Sequence, residues 1–408
     1  MRILHTSDWH IGKQLKKVDF SQDLDFFFDW LVTTISDQEI DVLLMSGDLF
    51  DASNPSQSSF QQYYEFLRKM IIRNPKSKII ITGGNHDAPL TLNAPKDLLQ
   101  ILQVSVVGGV SDKIKDMFVK IDKDKESLVV AAIPFLRDKD IRTATSGQSY
   151  EEKTQQTREG IQTFFKNVNQ HYCDNYQGLP FIVMGHLFVQ GAEVSESERQ
   201  VQVGNLAGVN ASIFGTEPHY VALGHIHKPQ TAGSEHIRYC GSPIPLSFSE
   251  KNDTKQVVIL EWVKDSFEIK PIAVPSFRKL TTYCGTLNEV KTKIQHHKSN
   301  SQLKDLVEII VEEEQENIGI TQEVIALASE PGNSHLEIIS HKLIFKNKVN
   351  GLATLLGEEA DVQHYTPLDI FKKRIELDES ISQNAELGQE LEHAFSEILD
   401  ELYQELNE

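Results

Sequence analysis

The chain has 408 residues, 39% of them hydrophobic and 24% charged, which suits a globular protein of two or three domains with a large core. A formal net charge of −19 argues against a protein that coats nucleic acid through overall positive charge, and the longest apolar stretch, Leu128 to Leu136, is too short to span a bilayer. Cys173, Cys240 and Cys284 are too scattered for a disulfide framework or a Cys-type zinc site, and Met1-Arg2-Ile3-Leu4 leaves no room for a signal peptide, so a cytoplasmic protein is expected.

Residues 1–275 read as alternating strands and helices. Strands are predicted at Arg2–Thr6, Asp41–Met45, Lys78–Thr82, Leu128–Ile133, Phe181–Met184, Tyr220–Leu223 and Gln256–Trp262, with helices at Asp23–Ile35, Ser58–Ile72 and Glu151–Tyr172. The two prolines of Pro271-Ile-Ala-Val-Pro275 mark a boundary. Beyond it, a helix at Leu287–His297, a strand at Leu306–Glu312, a helix at Thr321–Ala328 and a strand at Leu336–Phe345 predict a small α+β domain over 276–365. From 366 to 408 the chain changes character. Residues 375–408 hold no Lys or Arg and eleven Asp or Glu. Leu387, Leu391, Phe395, Ile398, Leu402 and Leu406 recur at helical spacing, either to pack on the chain's own domain or to dock a partner.

Chemistry concentrates at the ends of the strands. Asp48 follows an apolar run closed by Ser46-Gly47, and four other runs end in Asp8-Trp9-His10, Gly84-Asn85-His86-Asp87, Gly185-His186 and Gly224-His225-Ile226-His227. Each alone has a plain structural explanation as a cap, a turn or a buried histidine. Five strand ends carrying only Asp, Asn and His point instead to two hard-to-borderline divalent ions, with Asp48 as the bridge. Ions held about 3.5–4 Å apart ionise a shared water near neutral pH, so phosphate-ester hydrolysis is the reaction expected. His86 is expected to face the substrate as a cation or general acid, with Asp51 accepting a hydrogen bond from it.

In order, Asp-x-His, Gly-Asp-x-x-Asp, Gly-Asn-His-Asp, Gly-His and Gly-His-x-His are the motifs of the calcineurin-like metallophosphoesterases, which this chain resembles. Thr6-Ser7-Asp8-Trp9-His10-Ile11-Gly12, Ile133-Pro134-Phe135-Leu136-Arg137 and Tyr239-Cys240-Gly241-Ser242-Pro243-Ile244-Pro245-Leu246-Ser247-Phe248-Ser249-Glu250 narrow the resemblance to its bacterial nuclease branch. It is dense over 1–250 and weaker beyond.

The resemblance implies two stacked, mostly mixed β-sheets flanked by helices, an α+β capping domain and a C-terminal helical segment. It implies that Asp8, His10, Asp48 and His227 hold one metal and Asp48, Asn85, His186 and His225 the other, usually manganese, with His86 catalytic. It further implies a homodimer in which the C-terminal helix binds a coiled-coil ATPase. That complex degrades DNA duplex ends 3′→5′ and nicks hairpins or single strands under ATP control. In the archaeal and eukaryotic branch a His stands where Asp51 stands here, so that branch's division between exonuclease and endonuclease roles is not transferred.

On an acidic chain, phosphate contacts must be local; Lys13, Lys16, Lys17, Arg137, Lys139 and Arg142 are the candidates. The same site would serve a phosphatase or cyclic-nucleotide phosphodiesterase on small substrates, but a second domain and a docking tail would then have little use. A non-catalytic scaffold would be expected to have lost ligands, and none is missing.

Overall fold

A computed structural model describes residues 1–141, 149–198, 208–314, 318–346, 366–376 and 385–405. Two six-stranded sheets, built from strands before Pro275, face each other. The first has the order Ser266–Ala273, Gln256–Val263, Arg2–Thr6, Val42–Ser46, Lys78–Thr82, Val104–Val107. The second runs Gln230–Thr231, Ile237–Tyr239, Tyr220–Gly224, Phe181–His186, Glu126–Ala132, Phe118–Lys123. The central strands of each are parallel, and antiparallel pairs lie toward the edges.

Strand periodicity divides the core. Ile3, Val42, Leu44 and Ile80 point from the first sheet to meet Val130, Ala132, Ile182, Met184 and Ala222 of the second. The alternate residues Leu4, Leu43, Met45, Ile79 and Ile81 point outward, against the helices Ser21–Asp37 and Gln57–Arg73. On the far side, Ile161, Phe165, Val168 and Tyr172 of the helix Tyr150–Tyr176 cover the second sheet. Strands buried on both faces are apolar at every position, which is why they read as unbroken hydrophobic runs.

The predicted strands and helices are present with ends moved by a few residues. Among the elements missing from the prediction are the strands Val104–Val107, Phe118–Lys123, Gln230–Thr231, Ile237–Tyr239, Ser266–Ala273 and Leu280–Gly285 and the short helices Pro89–Asn93 and Lys96–Ile101. Phe118–Lys123 and Ser266–Ala273 are edge strands whose exposed polar residues obscure the pattern. Pro271 lies inside Ser266–Ala273 and pairs with Val258 on one side only, so its missing N–H is tolerated at this edge. The chain leaves the sheet after Ala273, within the Pro271–Pro275 stretch.

Beyond Pro275, Leu280–Gly285, Asp305–Glu313 and Leu336–Phe345 form a parallel sheet. Val290 and Ile294 of the helix Leu287–Gln295 and Val324 of Ile318–Ser329 share a core with Val307, Ile309 and Val311. Leu280 and Leu306, at the base of this sheet, pack into the core between the first six-stranded sheet and its helices. There Arg278 makes two 2.7 Å bonds to the Asp23 carboxylate, and Phe277 stacks on Phe26.

The helices Pro367–Glu376 and Ala385–Glu405 meet through Phe371 and Phe395, stacked with centroids 4.0 Å apart. Of the predicted apolar stripe, Leu391 and Phe395 are partly buried and Ile398 is exposed. Leu406 lies outside the described residues.

Candidate metal centre

Three strands of the first sheet (Arg2–Thr6, Val42–Ser46, Lys78–Thr82) and two of the second (Phe181–His186, Tyr220–Gly224) deliver their C-terminal ends to one place. Trp9 sets the first loop. It is buried against Phe28 and Phe66, with centroids 5.0 and 4.9 Å away, and its Nε1 donates to Thr6 Oγ1. Asp8 and His10, on either side, are thereby held in the site.

The backbone turns sharply here. Asp8, His10, Asp48 and His225 have φ of 54°, 48°, 53° and 96°, a region side-chain-bearing residues avoid unless their surroundings enforce it. Close approach demands glycine beside them. A Cβ on Gly47 would lie 2.1 Å from His186 Nδ1, and one on Gly84 2.1 Å from Asp48 Oδ1.

All seven predicted ligands come together. Asp48 Oδ2 lies 3.3 Å from His186 Nε2 and 3.6 Å from His10 Nε2. His10 Nε2 is 3.1 Å from His227 Nε2. Asn85 Oδ1 is 2.9 Å from both His186 Nε2 and His225 Nδ1. Asp8 Oδ1 accepts the backbone N–H of His225, while its Oδ2 is buried without a hydrogen-bond partner. Asp8, His10 and His227 form one potential cation cluster, and Asp8, Asp48 and His186 another.

Burial would raise the pKa of Asp48, but the charges of His186 and His10 hold it well below the carboxylate range. Burial likewise works against a charged His186. The Asp48 carboxylate outweighs it and brings His186 up to about 9. His186 Nδ1 donates to Ser46 O at 3.0 Å, which turns Nε2 toward Asp48.

The expected pairing of Asp51 with His86 is corrected. The Asp51 side chain accepts from His10 Nδ1 at 3.1 Å and from Lys13 Nζ at 3.2 Å. It is the backbone carbonyl of Asp51 that accepts from His86 Nδ1, at 2.7 Å. His86 stands beside His10, ring centroids 4.7 Å apart, and a ring nitrogen lies close enough to His10 and Asp48 to share a cation with them.

Two of the basic candidates have internal roles. Lys13 is paired with Asp51, and Arg137 donates to the backbone carbonyl of Asp87 at 2.8 Å. Lys16, Lys17 and Lys139 are exposed, and Arg142 lies outside the described residues.

The part played by residues behind the candidate ligands was not read from the sequence, although Asp87 and Glu250 stand in its motifs. Asp87, buried, accepts the backbone N–H groups of Leu49, Phe50 and Gly84 at 3.1, 3.0 and 2.9 Å. Burial and then the nearby charge of Asp48 push its carboxyl up to about 6. Glu250 and Lys255, both buried, pair at 2.6 Å behind His227. Ser197 and Glu198 approach His227 from the chain following His186. Glu250 was noticed only as the end of a motif, because nothing local says which side chain it will meet.

The residues present fit divalent cations. Carboxylate and amide oxygens and imidazole nitrogens converge, one carboxylate oxygen is buried without a hydrogen-bond partner, and two ring nitrogens face each other. The fold and this site define a metallophosphoesterase. The family model for calcineurin-like phosphoesterases matches residues 1–229. The chain is 32% identical over 309 residues to the D subunit of nuclease SbcCD from Escherichia coli K12, covering 74% of this chain and 75% of that protein. It is 32% identical to the corresponding SbcCD protein of Bacillus subtilis (64% and 66% covered) and 33% identical to that of Rhodobacter capsulatus (64% and 66%). The chain belongs to the calcineurin-like phosphoesterases and, within them, to the family of SbcCD nuclease D subunits.

Proposed function

We propose that this chain is the nuclease subunit of a DNA-processing complex and hydrolyses DNA phosphodiesters at a two-metal centre. The observation that carries the reading is the convergence of Asp8, His10, Asp48, Asn85, His186, His225 and His227 at one buried meeting point of two sheets. In this reading Asp8, His10, Asp48 and His227 hold one ion and Asp48, Asn85, His186 and His225 the other, with manganese as the metal.

When bound, the ions supply Lewis-acid stabilisation of the phosphate charge and activate a water. The chain's own contribution is to orient the ligands and exclude bulk water. His86, held through Nδ1 by the Asp51 carbonyl, is the group that donates a hydrogen bond or proton toward the leaving oxygen. Asp51 acts through His10, keeping a proton on His10 Nδ1 and leaving Nε2 available.

The division at about residue 275 separates this nuclease domain from a capping domain over 276–365, and 366–408 is a helical segment for docking the SbcC ATPase. The internal core of the second domain supports that division. DNA ends and hairpins are the substrates, ATP on the partner gates cleavage, and the working assembly is a homodimer within a heterotetramer in the cytoplasm. Among the described residues no helix is long and apolar enough to cross a membrane.

The test is manganese-dependent cleavage of a labelled linear duplex and a hairpin, with Asp48→Asn run alongside. Cleavage by the wild type and a loss of at least about 10²–10³-fold in the variant is the expected result. Equal cleavage by both would identify a contaminating nuclease. Hydrolysis of a small phosphodiester alone, unchanged when SbcC and ATP are added, would remove DNA as the substrate.

A further inference from the structure

His227 is gripped from three directions behind the metal centre. Its ring Nδ1 lies 2.7 Å from Ser197 Oγ and 3.4 Å from Glu250 Oε1, and Ser197 in turn hydrogen-bonds Glu250. Its backbone carbonyl accepts from Lys255 Nζ at 2.9 Å, and its N–H donates to Glu198 at 2.9 Å. Glu250 Oε2 takes Lys255 at 2.6 Å and the backbone N–H of Leu246 at 3.1 Å. A carboxylate can only accept hydrogen bonds when ionised, and Lys255 keeps it ionised although it is buried. Ser197 therefore donates to Glu250 and uses its lone pairs to accept from His227 Nδ1. The other ring nitrogen, Nε2, is the one that faces His10.

We propose that Glu250, charge-balanced by Lys255, is a positioning residue for the metal centre: through Ser197 it holds the proton of His227 on Nδ1 and reserves Nε2 for a divalent cation. The inference rests on the metal-centre reading above. Outer partners of ligating histidines fix tautomer and ring orientation, and losing one weakens metal binding by roughly 10–100-fold. The segment from Tyr239 to Glu250 thereby gains a purpose, since it carries Glu250 to the back of a ligand that arrives on a different strand.

The test titrates manganese into the metal-free full chain, wild type, Glu250→Gln and Ser197→Ala, by calorimetry, with circular dichroism to confirm folding. One binding phase should weaken by roughly 10–100-fold in Glu250→Gln and the same phase, by less, in Ser197→Ala, the other phase staying put. Unchanged affinity for both ions in folded variants would overturn the assignment. Because removing one member of a buried ion pair also destabilises a fold, ring-nitrogen NMR on ¹⁵N-histidine-labelled, zinc-loaded wild type supplies a second readout. His227 should carry its proton on Nδ1 and the metal on Nε2; the reverse arrangement would overturn the proposal without any variant. A wild type that binds fewer than two ions would instead sink the metal-centre reading itself.

Discussion

The Nε2 atoms of His10 and His227 face each other across 3.1 Å. Each ring has its other nitrogen committed, His10 to Asp51 and His227 to Ser197 and Glu250. Two neutral imidazoles so arranged would direct lone pairs at each other, which a shared cation relieves.

Manganese should therefore stabilise the folded chain. At a hundredfold excess over its dissociation constant, a single bound ion adds about 2.7 kcal/mol. Differential scanning fluorimetry with and without a chelator measures it. The rise in Tm should disappear with chelator and be largely lost in Asp48→Asn, since Asp48 lies between His10 and His186. An equal rise in wild type and variant would place the ion elsewhere.

Asp51→Asn should slow cleavage without changing its dependence on the leaving group. The backbone carbonyl that holds His86 survives the substitution, whereas the carboxylate that holds His10 does not. The expected loss is roughly 10-fold or more and equal for activated and poor leaving groups. A loss confined to poor leaving groups would mean that the side chain reaches His86 during turnover.

Asp87→Ala should destabilise the protein by roughly 3 kcal/mol or more, because three buried backbone N–H groups lose their acceptor at once. Asp87→Asn, which keeps one acceptor oxygen, should cost less. Urea denaturation of the metal-free proteins gives both values. A change within about 0.5 kcal/mol for Asp87→Ala would show that the two loops do not need this clamp.

Acid should weaken the fold through His5. It is fully buried between the sheets, and its Nδ1 meets the Tyr220 hydroxyl at 3.1 Å. Burial lowers its pKa from 6.5 to about 3. The folded value lies below the unfolded one, so the unfolded chain binds the proton more readily. Stability from the neutral ring is thus full above about pH 6.5 and is lost as pH falls toward about 3, on the order of a few kcal/mol in all. Denaturation midpoints between about pH 7 and about pH 4 should fall less steeply in His5→Gln than in wild type; parallel curves would exclude His5 as the titrating group.

The converging Asp, Asn and His residues were legible in the sequence because each follows the C-terminal end of a strand buried on both faces. Such strands announce themselves as apolar runs, and the Gly-Asp, Gly-Asn-His-Asp and Gly-His-x-His tails that follow are local patterns. Edge strands such as Phe118–Lys123, with polar residues facing solvent, gave no such signal. The helix of the tail was legible from its spacing, whereas the Phe371–Phe395 stack is a pairing of two helices that spacing cannot announce.

Periodicity and short motifs were enough for the alternating strands and helices, the five strand ends that converge and the class of chemistry, because each is written in residues close together in the chain; the two-sheet framework came from the family resemblance. Which groups stand behind those ligands was settled only by packing. Asp51 turned its side chain to His10 and its carbonyl to His86, and Glu250 reached His227 from a separate segment. Hydrogen bonds between residues distant in the chain depend on loop paths and side-chain directions, which exist only once the sheets have packed.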